Sequence, residues 1–120
     1  MKRYCLALDL KEDKELIESY REWHKAENAW PEIQQSIRDA GVLQMEIYCI
    51  GNRLFMIMET VDDFCFEKKA LMDAANPKVM EWERLMSRFQ RPLPWAKEGE
   101  KWLVMNRIYA LEPALEEVVG

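Results

Sequence analysis

One histidine, three cysteines and four glycines are all that 120 residues hold of the types that build metal centres, disulfide frameworks and phosphate-binding loops. Cys5, Cys49 and Cys65 are odd in number and widely spaced, with no CxxC pair and no Cys/His cluster. Neither a zinc site nor a disulfide framework is expected, and the simplest reading is reduced, buried thiols in a cytoplasmic protein. No glycine-rich phosphate loop occurs, so neither a nucleotide cofactor nor a metal is called for. Apolar runs are too short to cross a bilayer. The opening "MKRYCLALDL" reaches Asp9 before a signal-peptide core forms, so no targeting segment and no membrane role are expected. An excess of basic charge is missing too. The net charge is −5, and basic residues sit among acidic ones, as in "KKALMDAANPK". Duplex binding needs a concentrated cationic surface, so nucleic acid is not an expected partner.

What is present is a chain 49% hydrophobic and 32% charged, the balance of one soluble globular domain over residues 1–120. "RYCLALDL" alternates Tyr4, Leu6, Leu8 and Leu10 against Cys5, Ala7 and Asp9, which predicts a strand. Asp13 offers an N-cap to a helix carrying Leu16, Ile17, Tyr20 and His24. That helix breaks near "AEN", and Trp30-Pro31 starts another, which Gly41 ends. "VLQMEIYCI" and "RLFMIMET" form a hairpin through Gly51-Asn52. "DDFCFEKKALMDAA" predicts a helix capped by Asp62 or Asp63. Asn76-Pro77 restarts it with Val79, Trp82, Leu85, Met86 and Phe89 on one side. "RPLPWAKEGEK" reads as a loop, "WLVMNRIYAL" as a last strand, and residues 113–120 as a loose tail. The order β-α-β-β-α-β, with each helix split, is the ferredoxin-like α+β arrangement.

Both faces of the hairpin are apolar. Leu43, Met45, Ile47 and Cys49 oppose Tyr48 and Ile50, and Leu54, Met56 and Met58 oppose Phe55 and Ile57. A sheet covered by helices on one face would leave the other as a large wet apolar patch, which monomers avoid. A homodimer is expected, formed face to face or by exchanged tails, with a ligand cavity as the other use for apolar surface.

Tyr20 and His24 stand four residues apart and so share one helix face. They are either amphipathic core side chains with satisfied polar tips or a proton-transfer pair, since imidazole titrates near neutrality. No cysteine or second histidine stands beside them in sequence, and no nucleophilic triad is read. Trp82 is either core or a platform for a sugar ring. Asp62-Asp63, Glu81 and Glu83 read first as a cap and a solvated helix face, and the eight methionines as core filler.

"KRYCLALDL", the Tyr-x3-His leading into "WPEI", "MEIYCIGNRLFMIMET", "DAANPKVMEWERLM" and "PLPWAKEGEKW" together resemble the L-rhamnose mutarotase family, in order, over roughly residues 1 to 110. The resemblance implies a dimeric ferredoxin-like α+β barrel acting on a monosaccharide, and a cofactor-free isomerase that interconverts the anomers of a 6-deoxy-hexose such as L-rhamnose. It implies that His24 is the proton donor, that Tyr20 binds sugar and that Trp82 is the first of two substrate-contacting tryptophans. Glu83 stands at the second tryptophan's position and Met45 at that of a substrate-binding tyrosine, and the stretch from His24 to Trp30 is longer than in the family. These departures bear on the sugar, which makes L-fucose the alternative substrate. Ring opening also needs a base, for which Glu83, Tyr48 and water are candidates. The other classes left open are a small monooxygenase or haem-handling protein, with His24 as ligand or base, and a non-catalytic sugar-binding dimer.

Overall fold

A computed structural model describes residues 1–111. The first strand, β1 (Lys2–Leu10), is followed by helices α1 (Lys14–Trp23) and α2 (Pro31–Asp39), with a short 3₁₀ turn at Ala26–Asn28 between them. Then come β2 (Val42–Ile50), β3 (Arg53–Thr60), α3 (Phe66–Ala74) and α4 (Pro77–Ser87), and two short strands, β4 (Gln90–Arg91) and β5 (Leu103–Val104). The antiparallel sheet runs β2-β3-β1-β4, and β5 also pairs with β1. This is the expected ferredoxin-like α+β order with both helical segments split.

The local signals act where their chemistry places them. Asp13 Oδ1 accepts the backbone N–H groups of Glu15 and Leu16, both at 3.0 Å, which satisfies two donors that the first helical turn leaves unpaired. Asn76 does the same for Lys78 and Val79 at the start of α4. Pro31 and Pro77 each occupy a first helical position, where no N–H is needed. Ile50 pairs with Arg53 across the Gly51-Asn52 turn, and Gly51 takes φ +55° there, as a primed two-residue hairpin turn requires.

Leu6, Leu8 and Leu10 of β1 and Leu54, Met56 and Met58 of β3 are buried on the face that the helices cover. The opposite face carries Asp9, buried although charged. Arg53 donates to both of its carboxylate oxygens at 2.8 and 3.1 Å. The register sets Arg53 and Arg91 on either side of Asp9, so one carboxylate ties three strands together.

Four expectations need correction. The last strand does not run through "WLVMNRIYAL": only Leu103–Val104 pairs, closed by a bond from the Met105 N–H to the Cys5 carbonyl. Continuing the register of Leu6 opposite Val104 would set Arg107 directly across from Arg3, and like charges facing each other destabilise a ladder. Neither Asp62 nor Asp63 caps α3. Cys65 occupies that position without a side-chain bond, and Asp62 pairs with the Met1 amino group. Leu43 leaves the face of Met45 because the register shifts between Val42 and Gln44, and it is exposed. Cys65 is exposed rather than buried, and Cys5 and Cys49 are only half-buried, though all three are free thiols. The tail expected after Pro113 lies outside the described residues.

Candidate active site

Between the covered face of the sheet and helices α1, α2, α3 and α4 lies a cavity of about 400 Å³. A cavity of roughly 150 Å³ takes a benzene ring, so this one holds a six-membered ring with space to rearrange. Its floor is apolar, with Leu6, Met45, Ile47, Met56 and Met58 among its residues. Tyr20, His24, Trp82, Glu83 and Met45, the five residues singled out in the sequence, all line it. Tyr48 does not. It is exposed on the other face, where its hydroxyl bonds to Glu46, so it drops out as a base at this site.

His24 sits just past the end of α1, where the last carbonyls of the helix lack intrahelical partners. Its Nδ1 lies 2.7 Å from the carbonyl oxygen of Tyr20. A carbonyl only accepts, so the proton in this bond is on Nδ1, and in the neutral ring Nε2 carries the lone pair. The bond caps the helix and at the same time fixes the tautomer. The residue is exposed at the cavity's rim, yet its ring is crowded by Tyr20 (centroids 4.3 Å apart) and Trp82 (5.7 Å). That crowding strips water from the imidazolium and pushes the pKa below 6.5, and the bond to Tyr20's carbonyl opposes it only in part. At neutral pH His24 is therefore an uncharged ring with a free acceptor nitrogen.

Tyr20 is buried one turn earlier. Burial, with a smaller contribution from the charge of Glu83, pushes its pKa up to about 12 against a hydrogen bond from the Gln90 side chain. The phenol keeps its proton at any physiological pH and serves as a hydrogen-bonding group. Gln90 comes from the two-residue β4 and is nine-tenths buried in the cavity wall, and its Oε1 has no hydrogen-bond partner among the described residues. An orphaned buried acceptor is costly unless something supplies a proton to it, and a ligand hydroxyl would.

Trp82 is the hub of an aromatic wall. It meets Trp23, His24 and Trp30 edge to face, with centroids 6.5, 5.7 and 5.0 Å away. The Glu83 carboxylate is held by Lys101 Nζ at 3.1 Å, which also donates to Ser87 Oγ at 2.6 Å and thereby ties the segment before β5 to α4. Trp23, Gln90 and Trp102 also line the cavity and escaped the sequence reading. Trp23 precedes His24 directly and was legible as an amphipathic neighbour, whereas nothing local marks Gln90, whose position depends on pairing with Leu10. Among the described residues, no three His, Cys, Asp or Glu side chains gather as a metal site, and no helix is long and apolar enough to cross a membrane.

The arrangement is a ring-sized chamber with an apolar floor, an aromatic wall, one neutral imidazole and several hydroxyl-binding groups, suited to moving protons on a small polar ring without covalent attachment. Comparison with known proteins points the same way. The sequence profile described as L-rhamnose mutarotase matches residues 3–111. An L-fucose mutarotase of Xanthomonas campestris pv. campestris is 43% identical, over 100% of this chain and 96% of that one. A UPF0734 protein of Dictyostelium discoideum is 38% identical, over 92% and 90% of the two chains. Among solved structures, an L-rhamnose mutarotase of Formosa agariphila superposes with a TM-score of 0.66 at 21% identity, over 93% of this chain and 100% of that one. Tetracenomycin F2 cyclase from Streptomyces glaucescens follows at 0.59 and 12%, over 95% and 100%. At such identities these structures speak for the fold alone, and one fold hosting a mutarotase and a polyketide cyclase leaves the chemistry to the site.

Proposed function

The chain belongs to the L-rhamnose mutarotase family, and from that premise we propose that it interconverts the α and β anomers of a 6-deoxy-hexose, with L-fucose ahead of L-rhamnose. The single observation that carries the chemistry is the 2.7 Å contact of His24 Nδ1 with Tyr20's carbonyl, which commits the ring proton to Nδ1 and leaves Nε2 with its lone pair on a residue that lines the cavity. The choice of sugar rests on 43% identity to an L-fucose mutarotase over the whole chain. Met45 and the other apolar floor residues suit a ring edge bearing a methyl group in place of a hydroxymethyl.

A hemiacetal opens when its anomeric hydroxyl loses a proton and its ring oxygen gains one. The neutral His24 takes the anomeric proton on Nε2. The electrons of that O–H bond form the carbonyl, the bond from the anomeric carbon to the ring oxygen breaks, and the ring oxygen takes its proton back from Nε2–H. The aldehyde turns about its bond to the next carbon and closes on its other face by the same steps in reverse. Both oxygens are attached to one carbon, so a single imidazole reaches both. His24 is thus the base as well as the donor that the family resemblance implies. Tyr20 and Gln90 hold hydroxyls, Glu83 accepts another, and Trp82 walls the ring.

The second copy implied by the family completes the molecule. Tyr48 and Ile50 are exposed on the uncovered sheet face, and Ile108, Tyr109 and Leu111 beyond β5 are exposed as well. A partner that buries these surfaces makes a homodimer, so sedimentation equilibrium should give twice 14.3 kDa, and a monomer would contradict it. Three free thiols agree with a cytoplasmic setting.

Polarimetry on freshly dissolved pure anomers tests the activity. The protein is expected to speed the approach to equilibrium of both sugars, with kcat/KM for L-fucose at least about tenfold above that for L-rhamnose, since the two differ in the placement of hydroxyls that fixed polar groups read. Equal rates, or faster L-rhamnose, would overturn the preference, and no acceleration of either would overturn the function.

A further inference from the structure

Lys69 and Asp73 of α3 line the same cavity, and nothing in the mechanism uses them. Lys69 Nζ lies 2.6 Å from Asp73 Oδ2, and the two side chains are only 24% and 25% exposed. As a device for stabilising the helix the pair is placed backwards. Lys69 falls near the N-terminus of α3, where the helix dipole favours anions, and Asp73 in its last turn, where the dipole favours cations. An acid before a base at this spacing is the better order on a helix, and here the base comes first. Half-burying two charges in a largely apolar chamber also costs solvation that a water-exposed position would spare. A pair in the order that a helix favours less, half-buried and facing a cavity, points to what enters the cavity.

Its place gives the ligand's orientation. Tyr20 belongs to the core cluster around Leu10, Leu54 and Phe89, at the end of β1. Phe66, one turn before Lys69, packs edge-on against Tyr4 and Phe64, at the start of β1. Leu6, between those levels, lines the floor. The imidazole and the ion pair therefore stand toward opposite ends of one chamber.

We propose that Lys69 and Asp73 bind the hydroxyls on the sugar edge remote from the anomeric carbon, and so read the configuration at C4. The proposal rests on the mutarotase reading. With C1 at His24, C4 lies directly across the pyranose ring. The contact within the pair uses one carboxylate oxygen and one ammonium proton, which leaves an acceptor and two donors for a vicinal diol. L-Fucose and L-rhamnose differ at C2, beside the anomeric carbon, and at C4, where the hydroxyl is axial in the first and equatorial in the second, so a fixed ammonium–carboxylate pair at the remote edge reads the C4 part of the difference.

The test compares wild type, Asp73→Asn and Lys69→Met on L-fucose, L-rhamnose and 4-deoxy-L-fucose by polarimetry, with thermal denaturation alongside. In wild type, removing the 4-hydroxyl is expected to lower kcat/KM by about ten- to hundredfold, the effect of a charge-assisted hydrogen bond, mainly through KM. In either variant L-fucose should fall to the level of the 4-deoxy sugar, and the preference over L-rhamnose should shrink by the same factor, leaving the part that the difference at C2 supplies. Melting temperatures are expected to fall modestly, since each variant leaves the other half-buried charge without its partner. Wild type that turns over L-fucose and its 4-deoxy analogue equally well overturns the proposal while leaving the mutarotase reading intact, and this arm needs no variant to fold. Variants that melt earlier yet keep the sugar preference would make the pair structural and overturn it as well. Wild type inactive on every sugar removes the mutarotase reading and this proposal with it.

Discussion

Glutamine in place of His24 is expected to slow the catalysed interconversion of anomers by about 10²–10⁴-fold, the usual contribution of a positioned acid–base group. Glutamine keeps a polar side chain beside the end of α1 but has no nitrogen basic enough to take and return a proton. The loss should fall on kcat, because Tyr20, Gln90, Glu83 and Trp82 still line the cavity and still hold the sugar. Polarimetry after subtraction of the spontaneous reaction gives both constants. A variant within about tenfold of wild type would move the proton to Glu83 or to solvent and leave His24 as a helix cap. Its bond to Tyr20's carbonyl is real in either case, so stability alone does not separate the two roles, whereas the split between kcat and KM does.

Leu54→Ala is expected to lose about 2–5 kcal/mol of stability. Leu54 is 1% exposed and lies in the cluster of Leu10, Tyr20, Met86 and Phe89, so its removal opens a void under Tyr20 that rigid strand backbone on either side does little to close. For a chain of this size that corresponds to a fall of roughly 10 °C or more in melting temperature. The functional consequence is separate: with its packing loosened, Tyr20 should hold the sugar less well, and KM should rise at temperatures where the protein is still folded. A loss below about 1 kcal/mol would mean that this cluster repacks freely and is not what holds Tyr20 in place.

Signals carried by a few adjacent residues were legible in the sequence. Asp13, Asn76, Pro31, Pro77 and the Gly51-Asn52 turn each act within three residues of themselves, and each does in the structure what its chemistry dictates. The Tyr20–His24 spacing placed two side chains on one face, Trp82 stood out as core or sugar platform, and the family resemblance added Glu83 and Met45; all five reach the same cavity. Features set by distant residues were not legible. Gln90 joins the site because Leu10, eighty positions earlier in the chain, pairs with it. The last strand stops at Val104, and the like charge that a longer one would set opposite Arg107, Arg3, comes from the start of the chain. Asp62 leaves its capping role for the chain's own amino terminus. In "KKALMDAANPK", Lys69 and Asp73 look like scattered surface charge, and only the packing of α3 over the sheet turns them inward.

Catalysis by a neutral imidazole that first accepts a proton is tested most directly by the pH dependence of anomer exchange. Saturating H1 of one L-fucose anomer at equilibrium and following the other by proton NMR, from about pH 5 to pH 8, gives the exchange rate without perturbing the mixture. The folded pKa of His24 lies below its ordinary 6.5, so protonation removes the accepting lone pair only in the acid range. The catalysed rate should climb through a single titration below pH 6.5 and stay flat through neutrality. A rate that instead falls as the pH rises through that range would mean that the imidazolium is the working form, and would contradict a proton carrier that starts out neutral.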